Sequence, residues 1–294
     1  MDAAAAMLRF AESPRKKAAD RGRIRDDDAM QLTDAQLADF EREGFIALPG
    51  LFTPDEVALL RREADRIYGE KRQEVVREKD GSTPRTAFAA HTYNEAYRRL
   101  GRHPRLIRPI EQILGGKVYM HQFKINAKAA FDGDVWQWHQ DYGTWARDDL
   151  MPEALAMNIA LYLDDVSEFN GPLWFIPRSH GKGVLAAGHD VSTTSYPLWT
   201  LDHATVARLV AEGGGIYSGK GKAGSVVMFH SNLVHASPPN ISPWHRVAVY
   251  LSLCRVDNHI RQFKRPEWIA HRDFAPIEPL ADDCLADLAR RQAA

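Results

Sequence analysis

The chain has 294 residues, of which 45% are hydrophobic and 26% charged, and its formal net charge is -1. This average, nearly neutral composition excludes a disordered chain and provides no overall field that would select nucleic acid or an anionic membrane. The length suits one large β or α/β domain, and the expected partner is a small molecule.

Cysteine usage and the N-terminus indicate the compartment. The two cysteines, Cys254 and Cys284, lack the spacing of paired metal ligands, so neither a disulfide framework nor a zinc knuckle is indicated. No apolar run has the length of a membrane span, and no signal-peptide core is present. We therefore expect a cytoplasmic protein.

The N-terminal part predicts a loose segment followed by short helices. Residues 1–30 are rich in Ala, Arg, Lys and Asp, and we expect a mobile segment there, with residues 31–294 forming a single domain. Thr33 with Gln36 makes a capping box, and a helix should run from there to Gly44. A strand at 45–48 and a helix that begins at Thr53-Pro54 follow.

The middle of the chain predicts a polar, mobile stretch and then a helical region. Residues 70–83 have no apolar periodicity, whereas 94–114 have a helical pattern that we expect to be interrupted near Pro104 and Pro109. Residues 280–294 are rich in Leu and Ala and predict a C-terminal helix, which could close the core or form a homodimer.

From residue 117 onward, short strand-like runs are bounded by Gly, Pro, Asn and Asp, which is typical of an antiparallel sandwich or jelly roll. The predicted fold is therefore mainly β, a double-stranded β-helix with flanking helices. The runs are 118–125, 156–163, 173–176, 225–229 and 246–254.

The strongest chemical signal is a histidine and a carboxylate two positions apart, His139 and Asp141. On an extended strand both side chains point to the same face, where they can bind one ion. A jelly roll can bring His235 beside them. Two imidazoles and one carboxylate form the facial triad of non-haem iron(II) enzymes, which leaves positions open for a co-substrate and dioxygen, although manganese or cobalt would also suit these ligands.

A cation lies close to the second histidine along the chain. Arg246 follows His235 by eleven residues and opens the last predicted strand. Its planar guanidinium suits bidentate capture of a carboxylate such as the distal one of 2-oxoglutarate, and Ser237 could add a hydroxyl donor. The spacing of the four residues predicts an iron(II) and 2-oxoglutarate site.

Several residues near the motif have alternative interpretations. His230 could replace His235 as a ligand, but its spacing to Arg246 is five residues longer. Trp138 could either contact a substrate or fill the barrel mouth. The whole site could also be a cupin-like module that binds a metal without catalysis.

The sequence resembles the phytanoyl-CoA dioxygenase superfamily, and within it the ectoine hydroxylases, from Leu32 to about Asn258. The resemblance is carried by five motif stretches. These are Gln122-Phe-Lys-Ile-Asn126, Trp138-His-Gln-Asp-Tyr-Gly-Thr-Trp145, Met151-Pro152-Glu153, Asn170-Gly-Pro-Leu-Trp-Phe-Ile-Pro-Arg-Ser-His180 and His235-Ala-Ser-Pro-Pro-Asn-Ile-Ser-Pro-Trp-His-Arg246.

The resemblance implies roles for particular residues. His139, Asp141 and His235 match the iron ligands, and the positions that bind 2-oxoglutarate are matched by Arg246, Ser237 and Asn126. The positions that shape the pocket for a small zwitterion are matched by Gln122, Thr144, Trp145 and Phe229.

The resemblance also bears on the reaction type and the substrate. An aspartate at position 141 implies hydroxylation, because halogenating relatives have a small residue there. The expected reaction couples oxidative decarboxylation of 2-oxoglutarate to C–H hydroxylation of a small polar or zwitterionic metabolite. Departures such as Gly143 and Leu150 leave other substrates open, including a larger natural-product scaffold or an acyl thioester.

Overall fold

The computed structural model describes residues 30–191 and 197–293. The prediction of a mobile segment at residues 1–30 concerns a stretch that lies, except for Met30, outside these ranges. The helices are α1 (Asp34–Glu43), α2 (Pro54–Tyr68), α3 (Ala90–Tyr93), α4 (Glu95–Leu100), α5 (Pro104–Leu114), α6 (Asp141–Asp148), α7 (His203–Gly213) and α8 (Cys284–Ala293). The strands are β1 (Phe45–Leu48), β2 (Val75–Arg77), β3 (Pro84–Phe88), β4 (Val118–Lys128), β5 (Trp136–His139), β6 (Ala156–Tyr162), β7 (Leu173–Phe175), β8 (Gly188–Asp190), β9 (Leu198–Thr200), β10 (Tyr217–Gly219), β11 (Val226–His230), β12 (His235–Ser237) and β13 (Arg246–Arg255).

Two antiparallel sheets form the jelly roll that the sequence predicts. The larger sheet has the order β1-β11-β6-β13-β4-β3-β2, and the smaller has the order β10-β7-β12-β5. Side chains of both sheets meet in one buried cluster, in which Phe175 of β7 packs with Phe229 of β11. The prediction of a mainly β fold with flanking helices is confirmed.

The outer face of the larger sheet is covered by helices. Residues of α2, α4, α5 and α8 share a buried cluster with alternate residues of β4 and β13, such as Ile125 and Val249. The other face of these strands is turned toward the smaller sheet. Polar residues on that inner face therefore lie between the two sheets, where the site is found.

The local signals of the N-terminal helices are confirmed. Thr33 and Gln36 form the capping box of α1, which ends at Gly44 with φ 84°. The helical region 94–114 breaks before Pro104, but Pro109 lies inside α5, so that part of the prediction is wrong. The stretch 70–83 also contains β2, whose pairing with β3 at the edge of the sheet was not predicted.

No helix in the described ranges is long and apolar enough to cross a membrane.

His103 provides a pH test of this packing. It is the N-cap residue of α5, is 0% exposed, and its Nδ1 accepts a hydrogen bond from the Arg105 N–H at 3.3 Å. Burial, assisted by Arg105, lowers the pKa of His103 to about 4. Between about pH 6.5 and 4 the unfolded chain therefore binds a proton that the folded chain does not, and stability is lost as the pH falls.

We predict that His103→Asn reduces the pH dependence of the free energy of unfolding in this window by up to about 1.4 kcal/mol per pH unit. Asparagine retains a cap acceptor but does not titrate. Urea denaturation of both proteins between pH 4 and 6.5 measures the two slopes. Equal slopes for the two proteins would contradict the assignment of this pH dependence to His103.

Candidate metal centre and active site

The two candidate histidine ligands are direct partners across two strands. His139 at the end of β5 pairs with His235 at the start of β12, and their ring centroids are 4.1 Å apart. The Nδ1 atoms lie 2.6 and 3.0 Å from the backbone carbonyls of Gln137 and Leu233. Because a carbonyl can only accept, each Nδ1 carries the proton, and each Nε2 keeps a lone pair for a metal.

Asp141 completes the group from a helix rather than from the strand that the sequence analysis assumed. β5 ends at His139, and Asp141 is the first residue of α6, where a carboxylate meets the positive end of the helix dipole. Its Oδ1 lies 3.6 Å from His139 Nε2, and its Oδ2 lies 3.6 Å from His235 Nε2. Within the described part of the chain, no other group of three or more His, Cys, Asp or Glu ligand atoms is this compact.

The charge state of this group fits a divalent cation. Burial opposes ionisation of Asp141, but His235, His139 and Lys124 outweigh it and hold the pKa of this carboxyl well below its usual range. Burial lowers the pKa of His235 to about 3, and neighbouring His139 acts in the same direction. The group therefore presents one carboxylate and two imidazoles, a donor set that suits iron(II).

Arg246 lines the same cavity as the three candidate ligands. It opens β13, is 1% exposed, and donates from Nη1 to the Tyr250 hydroxyl at 3.4 Å. Its Nε is buried without a hydrogen-bond partner, and no carboxylate of the described residues lies within 4.0 Å of its guanidinium. A buried cation without an anion is costly, so this geometry indicates an anionic ligand.

The two polar residues predicted beside Arg246 line the same cavity. Ser237 donates from Oγ to the Gly171 carbonyl at 2.9 Å, and Asn126 Oδ1 accepts from Thr86 Oγ1 at 3.0 Å. The metal group and the three predicted co-substrate residues therefore share one cavity, whose free volume is about 50 Å³.

Lys124 and Tyr250 are cavity residues that the sequence analysis missed. Lys124 lies on β4 between Gln122 and Asn126 and is partly exposed, and burial lowers its pKa. Tyr250 lies on β13, four residues after Arg246. The two-residue period of a strand, applied from Asn126 and from Arg246, would have found both.

The four predicted substrate residues do not all reach this cavity. Phe229 lines it, with its ring centroid 5.0 Å from that of His235. Gln122 donates to the Ile269 carbonyl at 3.0 Å, outside the cavity lining. The other two lie on α6, where Trp145 is 1% exposed in a cluster with Tyr119 and Met151, and Thr144 Oγ1 is buried without a hydrogen-bond partner.

The alternatives His230 and Trp138 lie beside the site. His230 ends β11, and its Nδ1 accepts from the Asn232 N–H at 3.0 Å, away from the compact group. Trp138 stacks with Trp174 at a centroid distance of 6.3 Å and is partly buried. Neither side chain lines the cavity that contains the His139 and His235 rings.

Comparison with known proteins relates this geometry to a family. The family model described as phytanoyl-CoA dioxygenase (PhyH) matches residues 40–248. The chain is 36% identical to an ectoine dioxygenase of Bordetella parapertussis over 267 residues, which cover 86% of this chain and 87% of the relative. It is 35% identical to the L-proline trans-4-hydroxylase of Streptomyces griseoviridis over 263 residues, which cover 86% of this chain and 98% of that relative.

A solved structure of similar shape is that of EctD from S. alaskensis with 2-oxoglutarate and 5-hydroxyectoine. The TM-score is 0.75 at 30% sequence identity, and the match covers 85% of this chain and 87% of that chain. The same protein with bound Fe gives the same TM-score. With its jelly roll, its compact His-Asp-His group and a family model that matches most of its length, the chain belongs to the phytanoyl-CoA dioxygenase family.

Proposed function

We propose that this protein is an iron(II)- and 2-oxoglutarate-dependent hydroxylase of a small polar or zwitterionic metabolite. His139, Asp141 and His235 hold the metal, and Arg246 holds the distal carboxylate of the co-substrate. The observation that carries the proposal is a single cavity lined both by a three-ligand group and by a buried guanidinium without an anion among the described residues.

The bound iron(II), with 2-oxoglutarate and dioxygen, supplies the oxidising power that places one oxygen atom in a C–H bond while the keto acid becomes succinate and CO₂. The chain contributes three ligands on one side, so the opposite positions remain available to co-substrate and dioxygen. Asp141 stays ionised, and the Nδ1 contacts of His139 and His235 fix both rings. The surrounding residues exclude water and position the reactants.

Four residues position the co-substrate. Arg246 would hold the distal carboxylate through charged hydrogen bonds, and Ser237 and Asn126 line the same cavity. Lys124 also lines this cavity, and its charge helps to lower the pKa of the Asp141 carboxyl. We assign Lys124 to the anionic keto-acid end of 2-oxoglutarate.

The similar proteins support a small substrate. The similar proteins named as ectoine dioxygenase and L-proline trans-4-hydroxylase bear the names of small ring compounds. Phe229 forms the wall beside His235, and roles for Gln122, Thr144 and Trp145 in substrate binding stay predictions.

The other hypotheses are less well supported by these observations. The ectoine dioxygenases and the L-proline trans-4-hydroxylase are not named for a larger scaffold or an acyl thioester. A metal-binding module without catalysis would not need a buried guanidinium facing the same cavity. A homodimer, the cytoplasmic location and the single domain over 31–294 stay predictions.

We predict that Arg246→Leu weakens 2-oxoglutarate binding about 100-fold or more, because a buried charge pair loses one partner. Binding is measured anaerobically from the charge-transfer absorption of the iron(II) complex. Metal affinity should change little, since Arg246 is not a ligand. Arg255→Leu, at the exposed end of the same strand, is the matched control and should bind 2-oxoglutarate normally. Equal affinity in both variants would contradict the role of Arg246.

We predict that a small zwitterion stimulates succinate formation by the iron(II) enzyme and gains one oxygen atom. Ectoine, L-proline and a panel of other amino acids would be compared with a fatty acyl thioester, with succinate and product mass as readouts. Stimulation by the thioester alone would contradict a small-metabolite substrate. Succinate release without stimulation by any small zwitterion would also count against this substrate class.

A further inference from the structure

A hydrogen-bond chain of two links ends on the carboxylate of Asp141. Ser252 Oγ donates to Asn158 Oδ1 at 2.7 Å, and Asn158 Nδ2 donates to Asp141 Oδ2 at 2.9 Å. Ser252 is 0% exposed and Asn158 is 2% exposed, and the two are paired residues on neighbouring strands β13 and β6. Neither residue has a role in the site as described above.

The chain has a fixed direction. An amide oxygen can only accept, so the Ser252 hydroxyl must donate to it, and this orients the amide of Asn158. The NH₂ group then faces Asp141, and it can donate to a carboxylate without adding a charge. The last torsion of an aspartate is broad and roughly two-fold, so a fixed donor restricts the rotation of the carboxylate.

We propose that Asn158, oriented by Ser252, is the positioning residue that holds Asp141 ready for the metal. This inference rests on the proposed function. The two imidazoles are fixed by backbone carbonyls of their own segments, at Gln137 and Leu233. Asp141 lies at the start of a helix, and its carboxylate receives the corresponding support from a side chain on the next element, β6.

The position of Ser252 makes this support rigid. β13 is paired on both sides, with β4 and with β6, so the backbone of Ser252 has strand neighbours in both directions. The register of β13 with β4 shifts directly after Ser252, where His121 of β4 is skipped, but the register of β13 with β6 is continuous through the Ser252–Asn158 pair. The strand pairing that places Ser252 beside Asn158 is therefore regular.

The experiment is a calorimetric titration with Co²⁺, which needs no turnover. Loss of such an outer hydrogen bond typically weakens metal binding about 10- to 100-fold, and we expect this for Asn158→Leu. Ser252→Ala should weaken Co²⁺ binding less, because Asn158 remains but its amide is free to turn. In the Asn158→Leu background, Ser252→Ala should have no further effect on metal affinity, since residues of one chain are coupled.

Ser242→Ala is the matched control. Ser242 Oγ also donates to a buried asparagine, Asn240 Oδ1, at 2.7 Å, but the Asn240 amide donates to backbone carbonyls rather than to a metal ligand. The Co²⁺ affinity of the Ser242→Ala variant should equal that of the wild type. Circular dichroism and thermal unfolding identify any variant that does not fold. Ser252→Ala is the smaller change, and it provides the test if Asn158→Leu does not fold.

Each outcome bears on one proposal. Wild-type affinity in Asn158→Leu, or in Ser252→Ala if only that variant folds, would overturn the inference. Equal losses in Ser242→Ala and Ser252→Ala, or additive losses in the double variant, would also overturn it. A wild type that binds no Co²⁺ would instead count against the metal centre of the proposed function.

Discussion

The site depends on one pairing between two short strands. Because His139 and His235 lie opposite each other in the smaller sheet, their rings are brought together by the pairing of β5 with β12. Residues 94 positions apart in the chain, Asp141 and His235, thereby become neighbours. A shift of one residue in this register would turn one ring to the other face of the sheet.

The cavity contains groups of opposite charge. Its lining includes the ionised carboxylate of Asp141 with two imidazoles, and also the guanidinium of Arg246. This arrangement supports the proposal that 2-oxoglutarate, a dianion that can chelate a metal and pair with a cation, binds there. The smaller sheet and α6 carry the candidate ligands, and β13 of the larger sheet carries the guanidinium.

Local signals in the sequence were sufficient for much of the fold and for the outline of the site. Capping residues predicted α1 and α2, and the strand-like run 246–254 predicted β13. The strands β2 and β3 were missed, because Val75–Arg77 has only three residues and Pro84–Phe88 begins with a proline and an arginine, so neither has a clear strand pattern. The family resemblance, and not periodicity, pointed to Asn126 and the substrate residues.

The sequence analysis missed residues whose positions depend on the register between strands or on the change from a strand to a helix. Asn158 reaches Asp141 only through the pairing of β6 with β13, which no local pattern specifies. The strand interpretation of residues 139–141 was wrong for Asp141, because the chain turns into α6 after His139. The same turn directs the side chain of Trp145 into a separate buried cluster.

The most direct test of the central claim is a crystal structure of protein prepared anaerobically with iron(II) and 2-oxoglutarate, with anomalous data collected at the iron edge. The account predicts one iron peak bound by His139 Nε2, Asp141 and His235 Nε2, with the distal carboxylate of 2-oxoglutarate on Arg246. A peak on His230, or a well-ordered 2-oxoglutarate away from Arg246, would contradict it.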